Sequence, residues 1–168
     1  MNYHFKVAVP RGEIIALPFV YLFLFGVLAY LTLPSGQIMI FALGFVILFC
    51  LFLLTSLTTC MFSVTVNGPE LRVRTSGGKK FSFTCRDIDR VVCSKKDSVK
   101  YGVLFYITIV KGKHEFTMEG KMAGFSNMAQ YLLEMLEVGE LKSTAVSAEC
   151  KSRLKRFEKG VTSIKNLE

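Results

Sequence analysis

IIALPFVYLFLFGVLAYLTL (residues 14–33), PSGQ (34–37) and IMIFALGFVILFCLFLLTSL (38–57) follow one another without a charged residue, and none appears before Glu70. Each apolar run has about 20 residues, which at 1.5 Å per residue matches a hydrocarbon core of roughly 30 Å. The pattern predicts two membrane-spanning helices within residues 14–60, folded back as a hairpin with its turn at 34–37. The first run holds thirteen Leu, Ile, Phe or Val residues and the second fourteen. At roughly −0.3 to −0.6 kcal/mol each, either gains several kcal/mol on insertion. A cleaved signal peptide fits less well. The first run exceeds the usual apolar length, Glu13 abuts it, and Ala29 lies between Leu28 and Tyr30. Pro18 falls near the start of its helix, where a missing N–H does little harm.

The flanks set the expected orientation. Lys6 and Arg11 precede the first run, Arg72, Arg74, Lys79 and Lys80 follow the second, and the turn has no Lys or Arg. By the positive-inside rule, both termini are expected in the cytoplasm, in a two-span protein of the cell membrane. Residues 1–13 then form a short cytoplasmic N-terminus. The remaining residues work against a membrane face.

Composition narrows the chemistry. Nineteen of the twenty-one Lys and Arg residues follow Pro69, against twelve of the thirteen acids. A basic domain beneath an anionic leaflet gains about 1 kcal/mol for each Lys or Arg held near the surface. The bland alternative is a solvated surface. No nucleic-acid-binding signature accompanies the charge, so no nucleic acid is expected. Cys50, Cys60, Cys85, Cys93 and Cys150 include no C-x-x-C pair, which predicts reduced thiols rather than a disulfide framework or a zinc site. The two histidines, His4 and His114, belong to no metal-ligand spacing. Asp87 and Asp89 are two apart, a candidate carboxylate pair, although Asp in a turn more often accepts from backbone amides. The expectation is a non-enzymatic protein without cofactor or metal.

Beyond the apolar runs the period shortens to two. Phe62–Val66 alternates into the turn Asn67-Gly68-Pro69, and Leu71 and Val73 alternate with Arg72 and Arg74 into Gly77-Gly78. Phe81, Phe83 and Cys85 alternate on the far side, so two strands around Gly-Gly predict a β-hairpin. Ile88–Ser94 is another strand. Val99–Val110 is the longest, with Val99, Tyr101, Val103, Phe105, Ile107 and Ile109 on one face, and His114–Glu119 follows Lys111-Gly112-Lys113. Then Phe125, Met128, Ala129, Leu132, Leu133 and Leu136 recur at helical spacing, within an expected helix 122–138 that Gly139 stops. Residues 61–139 are thus expected to form an α+β domain, an antiparallel barrel or curved sheet closed by an amphipathic helix.

The segments "VTVNGPELRVRTSGGKKFSFTCRDIDRVV" and "FSNMAQYLLEML" resemble the bacterial pleckstrin-homology-like (PH-like) domains, particularly those joined to a two-helix membrane hairpin, such as the YcxB-like proteins. The resemblance covers roughly residues 61–138 and rests on the order of elements. It implies a non-enzymatic module that binds lipid, peptide or partner protein, and it does not imply phosphoinositide binding. Arg72, Arg74, Lys79 and Lys80 flank the Gly77-Gly78 turn, as basic residues do in lipid-binding relatives. Arg72 and Arg74 are equally the solvent face of an alternating strand.

Residues 140–168 read as a linker and a basic amphipathic helix. Val146, Cys150, Leu154, Phe157, Val161 and Ile164 repeat at spacings of four and three, with Lys155, Arg156 and Lys159 among the residues between them. The helix lies in the membrane interface, on its own domain or against another copy. Two functions of different kinds fit. One is a membrane-anchored PH-like scaffold or sensor, with the bilayer, anionic lipid headgroups or an unidentified protein as partner. Its candidate contacts are Arg72, Arg74, Lys79, Lys80, Lys155, Arg156 and Lys159. The other is a small accessory subunit of a larger membrane complex or transporter, acting through its hairpin. Thr55, Ser56, Thr58 and Thr59, clustered at one end of the second run, would mark a helix contact in that case.

Overall fold

The chain leaves a β-sheet at Ala8 and returns to the same sheet at Ser63, directly opposite. Between them lie α1 (Arg11–Thr32) and α2 (Ser35–Cys60). The structure is a computed structural model that describes residues 3–32, 35–98 and 102–160. Two antiparallel sheets make up the rest, with helices packed on them. Sheet A has the order β1 (His4–Ala8), β2 (Ser63–Asn67), β3 (Glu70–Arg74), β4 (Lys80–Thr84). Sheet B has the order β5 (Arg90–Ser98), β6 (Gly102–Lys111), β7 (His114–Glu119). Two helices follow, α3 (Phe125–Glu137) and α4 (Ala148–Glu158).

Period-two patterning turns one face of sheet A inward. Val7, Val64 and Val73 lie side by side in register, as do Phe5, Val66, Leu71 and Phe83. All but Phe5 are buried, and Phe5 packs against the same core. Ile107, Ile109, Phe116 and Met118 supply the facing layer from sheet B. Met128, Tyr131 and Leu132 of α3 are fully enclosed, so this helix closes the core.

The expected barrel does not close. The chain breaks its pairing at a 3-10 turn, Cys85–Asp87, and no backbone ladder joins β4 to β7 among the described residues. These edges instead meet through side chains. Phe81 and Phe83 contact the Phe116 ring at centroid distances of 6.2 and 5.9 Å, and His114 stacks on Phe81 at 4.8 Å. Alternation decides which residues face inward but not whether two edges come within hydrogen-bonding distance.

The two-span hairpin is also corrected. Among the described residues one helix segment, Ala42–Cys60, has the length and apolarity to cross a membrane. The apolar stretch described in α1 is Pro18–Val27. Arg11 and Glu13 begin that helix, so its length is not all apolar length. The two helices contact one another through aromatic rings, Phe19 with Phe49 and Phe25 with Phe45, both at 5.8 Å. Apart from Met61 and Val138, every large apolar side chain exposed in the described structure lies on α1 or α2. The expected turn at 34–37 begins outside the described residues, as do Val99 and Tyr101.

Two further corrections concern the ends of the domain. Residues 1–13, expected as a plain N-terminal flank, supply β1. The cysteines are not all free: Cys93 and Cys150 form a disulfide. They lie 57 residues apart in sequence, and α4 packing against β5 brings their Cα atoms to 5.0 Å, inside the range of about 4.4–6.8 Å that a disulfide requires. Cys50, Cys60 and Cys85 are free thiols.

Gly124 caps α3 with φ at +80°, and a Cβ there would lie 2.6 Å from the Lys6 carbonyl oxygen. The close approach lets Ala8 and Ala123 exchange backbone hydrogen bonds of 3.2 and 3.1 Å, which tie β1 to the start of α3. Gly124→Ala is therefore expected to cost about 1–3 kcal/mol from the left-handed conformation alone, with the clash added. A urea midpoint shifted by less than a control Gly77→Ala shift would contradict this tie.

Candidate anion-binding face of sheet A

The outward face of sheet A is polar because its inward face takes every alternate residue. Register places Lys6, Thr65, Arg72 and Ser82 in one cross-strand row, and Ala8, Ser63, Arg74 and Lys80 in the next. A cavity of about 370 Å³ lies over these rows, lined by Ser63, Thr65, Arg72, Arg74, Lys80 and Ser82 among others. The second row sits at the end of the sheet where β1 departs for α1 and β2 arrives from α2. The β3–β4 turn carrying Lys79 projects from that same end, closed by a 2.9 Å bond from the Thr75 amide to the Lys79 carbonyl.

The four basic residues that flank the Gly77-Gly78 turn do not stand alike. Arg72 is engaged by Glu70, with Nε and Nη2 donating to the two carboxylate oxygens at 3.2 and 3.1 Å. That hydrogen bond holds Glu70 below the usual carboxylate range. Both groups are exposed, so solvent screens the pair. Arg74 is half-buried, and its Nε is enclosed without a hydrogen-bond partner among the described residues. A buried donor left unpaired is costly. Lys79 and Lys80 are exposed.

Lys6 joins this face, which sequence reasoning missed by treating it only as a topology signal. Phe5-Lys6-Val7 does alternate, and that was the signal available for a strand. The hydroxyls of Ser63, Thr65 and Ser82 were likewise passed over. Lys155, Arg156 and Lys159 are on or just after α4 and are not part of this cavity. They stay exposed while Cys150, Leu154 and Phe157 are buried against the domain, as is Val146 just before the helix. Val161 and Ile164 lie outside the described residues.

Other polar groups have structural work. Asp87 Oδ2 accepts from the amide and the hydroxyl of Thr84, both at 3.0 Å, and the amide bond chiefly lowers its pKa. Asp89 Oδ2 accepts from the Gly112 amide at 2.6 Å. The two carboxylates thus fasten different turns. Cys85 and Tyr131 lie 3.0 Å apart, Sγ to Oη, and Tyr131 also donates to the Gly68 carbonyl at 2.9 Å. Burial pushes the Cys85 thiol up to about 11, which keeps it protonated and poorly nucleophilic at neutral pH. Among the described residues, no group of three His, Cys, Asp or Glu side chains is placed to hold a metal ion. The hydroxyls of Thr55, Ser56, Thr58 and Thr59 donate to carbonyls one turn back in α2, at 2.8–2.9 Å, the usual way such groups are satisfied in an apolar setting.

No family model matches this chain, and neither curated proteins nor solved structures give a match.

Proposed function

We propose that this protein is a membrane-attached, non-enzymatic binding module. In this reading the Ala42–Cys60 segment enters the bilayer. The outward face of sheet A holds anionic groups, lipid phosphates among them, at the cytoplasmic headgroup layer. The observation that carries the reading is the register Ala8–Ser63–Arg74–Lys80. It puts the basic cavity at the end of the sheet from which the apolar helices depart. The exposed apolar surface of those helices calls for an apolar environment, and the excess of Lys and Arg in the domain favours the cytoplasmic leaflet. The proposal keeps the PH-like resemblance at the level of a binding module, without its barrel.

The test uses the intact chain in nanodiscs of equal phosphatidylcholine and phosphatidylglycerol, released and weighed by native mass spectrometry. Anionic lipid is expected to remain bound in excess of neutral lipid. Arg74→Gln combined with Lys80→Gln removes two charges worth about 1 kcal/mol each, a roughly thirtyfold loss of occupancy. Lys113→Gln, in the β6–β7 turn, should change nothing. Equal retention of both lipids, or retention indifferent to Arg74 and Lys80, would overturn the assignment.

A further inference from the structure

β5 is an edge strand of sheet B, and the chain after α3 covers it. Val146 bridges Val91 in parallel fashion, and Ser147 then caps α4 by accepting from the Cys150 amide at 3.1 Å. The helix turns inward there. Leu154 is fully buried, and the Phe157 ring contacts Phe105 at 5.0 Å and Phe125 at 5.4 Å. Arg153 Nη1 donates to the Cys93 carbonyl at 2.6 Å. One covalent link completes the attachment, Cys93 to Cys150. A cavity of about 360 Å³ lies beside it, lined by both cysteines with Val91, Thr144, Ser147 and Glu149 among others. Asp89, Arg90, Val92 and Ala145 complete the lining, and the two cysteines beside it are buried, 7% and 3% exposed.

We propose that Cys93 and Cys150 form a reversible thiol–disulfide latch that fastens α4 to the edge of β5, its exchange partner being a low-molecular-weight thiol. The thiolate of that small thiol enters the cavity and attacks one cysteine sulfur. The Cys93–Cys150 bond breaks, its electron pair leaves on the other cysteine, and that thiolate takes up a proton. A second small thiolate attacks the mixed disulfide, releasing the first cysteine, which is protonated in turn. The protein disulfide is reduced by two electrons, and two small thiols become one small disulfide. Oxidation is the same sequence reversed, with the small disulfide as oxidant. A cytoplasmic domain meets a pool of such thiols, and protein disulfides there are more often regulatory than structural. In the dithiol state α4 keeps its contacts through Leu154, Phe157 and the Arg153–Cys93 hydrogen bond but loses its covalent closure to β5, so it opens locally more often than the rest of the domain.

The experiment equilibrates the full chain, in nanodiscs, across a ladder of reduced to oxidised glutathione. It reads the state of each cysteine by acid quench, alkylation and mass, and then the exchange of α4 amides with deuterium. Cys93 and Cys150 are expected to convert together in the folded protein, and exchange in α4 to rise by about a hundredfold on reduction while α3 is unchanged. A Cys93→Ser, Cys150→Ser double variant should exchange like the reduced protein in every buffer. Conversion only after urea has unfolded the domain would overturn the latch. So would α4 exchange that is equal in the oxidised and reduced wild-type protein, a comparison that needs no variant.

Discussion

Leu132→Ala lowers the unfolding free energy of the domain by about 2–5 kcal/mol, the range for truncating a fully buried leucine. Leu132 has no exposed surface. It stands at the middle of α3, among Met128, Tyr131 and Met135, all buried. That helix joins the core to which both sheets contribute, so the cavity left by truncation would be walled by three elements that cannot collapse together. A domain of this size has about 5–15 kcal/mol in hand, and the loss is a large share of it. Urea unfolding of the intact chain in detergent, followed through the tyrosines, gives the value. Leu136→Ala, one turn on and only partly buried, should cost visibly less. A Leu132→Ala cost below the Leu136→Ala cost would mean that α3 does not close this core.

Leu51→Arg should strip the protein from membranes. Residue 51 is the midpoint of Ala42–Cys60, and its side chain is 56% exposed, so it faces away from the rest of the described structure. An arginine at the centre of an inserted helix costs about 2.5–3.5 kcal/mol, and the leucine it replaces contributes about −0.3 to −0.6. The expected result is a roughly hundredfold or greater fall in the ratio of membrane-bound to soluble protein. Carbonate washing of membranes, followed by quantifying the pellet, measures it. Leu51→Ala should leave the partition nearly unchanged. If Leu51→Arg pellets like the unsubstituted chain, α2 is not held by lipid.

Local order was legible in the sequence to within about four residues, the largest miss being β5, which runs to Ser98 where Ser94 was expected as its end; long-range pairing was not. The strand pattern from residue 62 to 119 corresponds to β2 through β7, because alternation and the Gly-Gly, Asn-Gly and Lys-Gly-Lys turns are local signals. Met128, Leu132 and Leu133 marked the inner face of α3 for the same reason. What failed depended on partners distant along the chain. β1 is five residues long and finds its partner on the far side of two helices, so the short Phe5-Lys6-Val7 alternation was the signal it left in the sequence. The separation of sheets A and B depends on Phe81, Phe83 and Phe116 lying between β4 and β7, which no alternation reports. Cys93 and Cys150 were hidden by the residues that separate them. The first apolar run was read by composition, and among the described residues its apolar stretch is Pro18–Val27.

The candidate site shows the same division. Arg72, Arg74, Lys79 and Lys80 were visible as a basic flank. Their differences came from neighbours: Glu70 engages Arg72, while Arg74 Nε is left enclosed and unpaired. Lys6 entered only because β1 pairs with β2. The amphipathic pattern at residues 146–157 correctly marked a face to be covered. It did not say that the domain itself covers it, burying Leu154 and Phe157 and leaving Lys155 and Arg156 in solvent.

The account places α2 within the bilayer and the Lys79–Lys80 end of sheet A at its surface. Power-saturation electron paramagnetic resonance of the intact chain in anionic nanodiscs compares a nitroxide side chain at Leu48 with one at Ser76 in the β3–β4 turn. The account predicts that oxygen relaxes the Leu48 label strongly and a water-soluble nickel chelate hardly at all. It also predicts a Ser76 label within about one Debye length, roughly 8–10 Å, of the phosphate plane. A Leu48 label that the nickel chelate reaches as readily as oxygen does, or a Ser76 label farther than that from the phosphate plane, would contradict it.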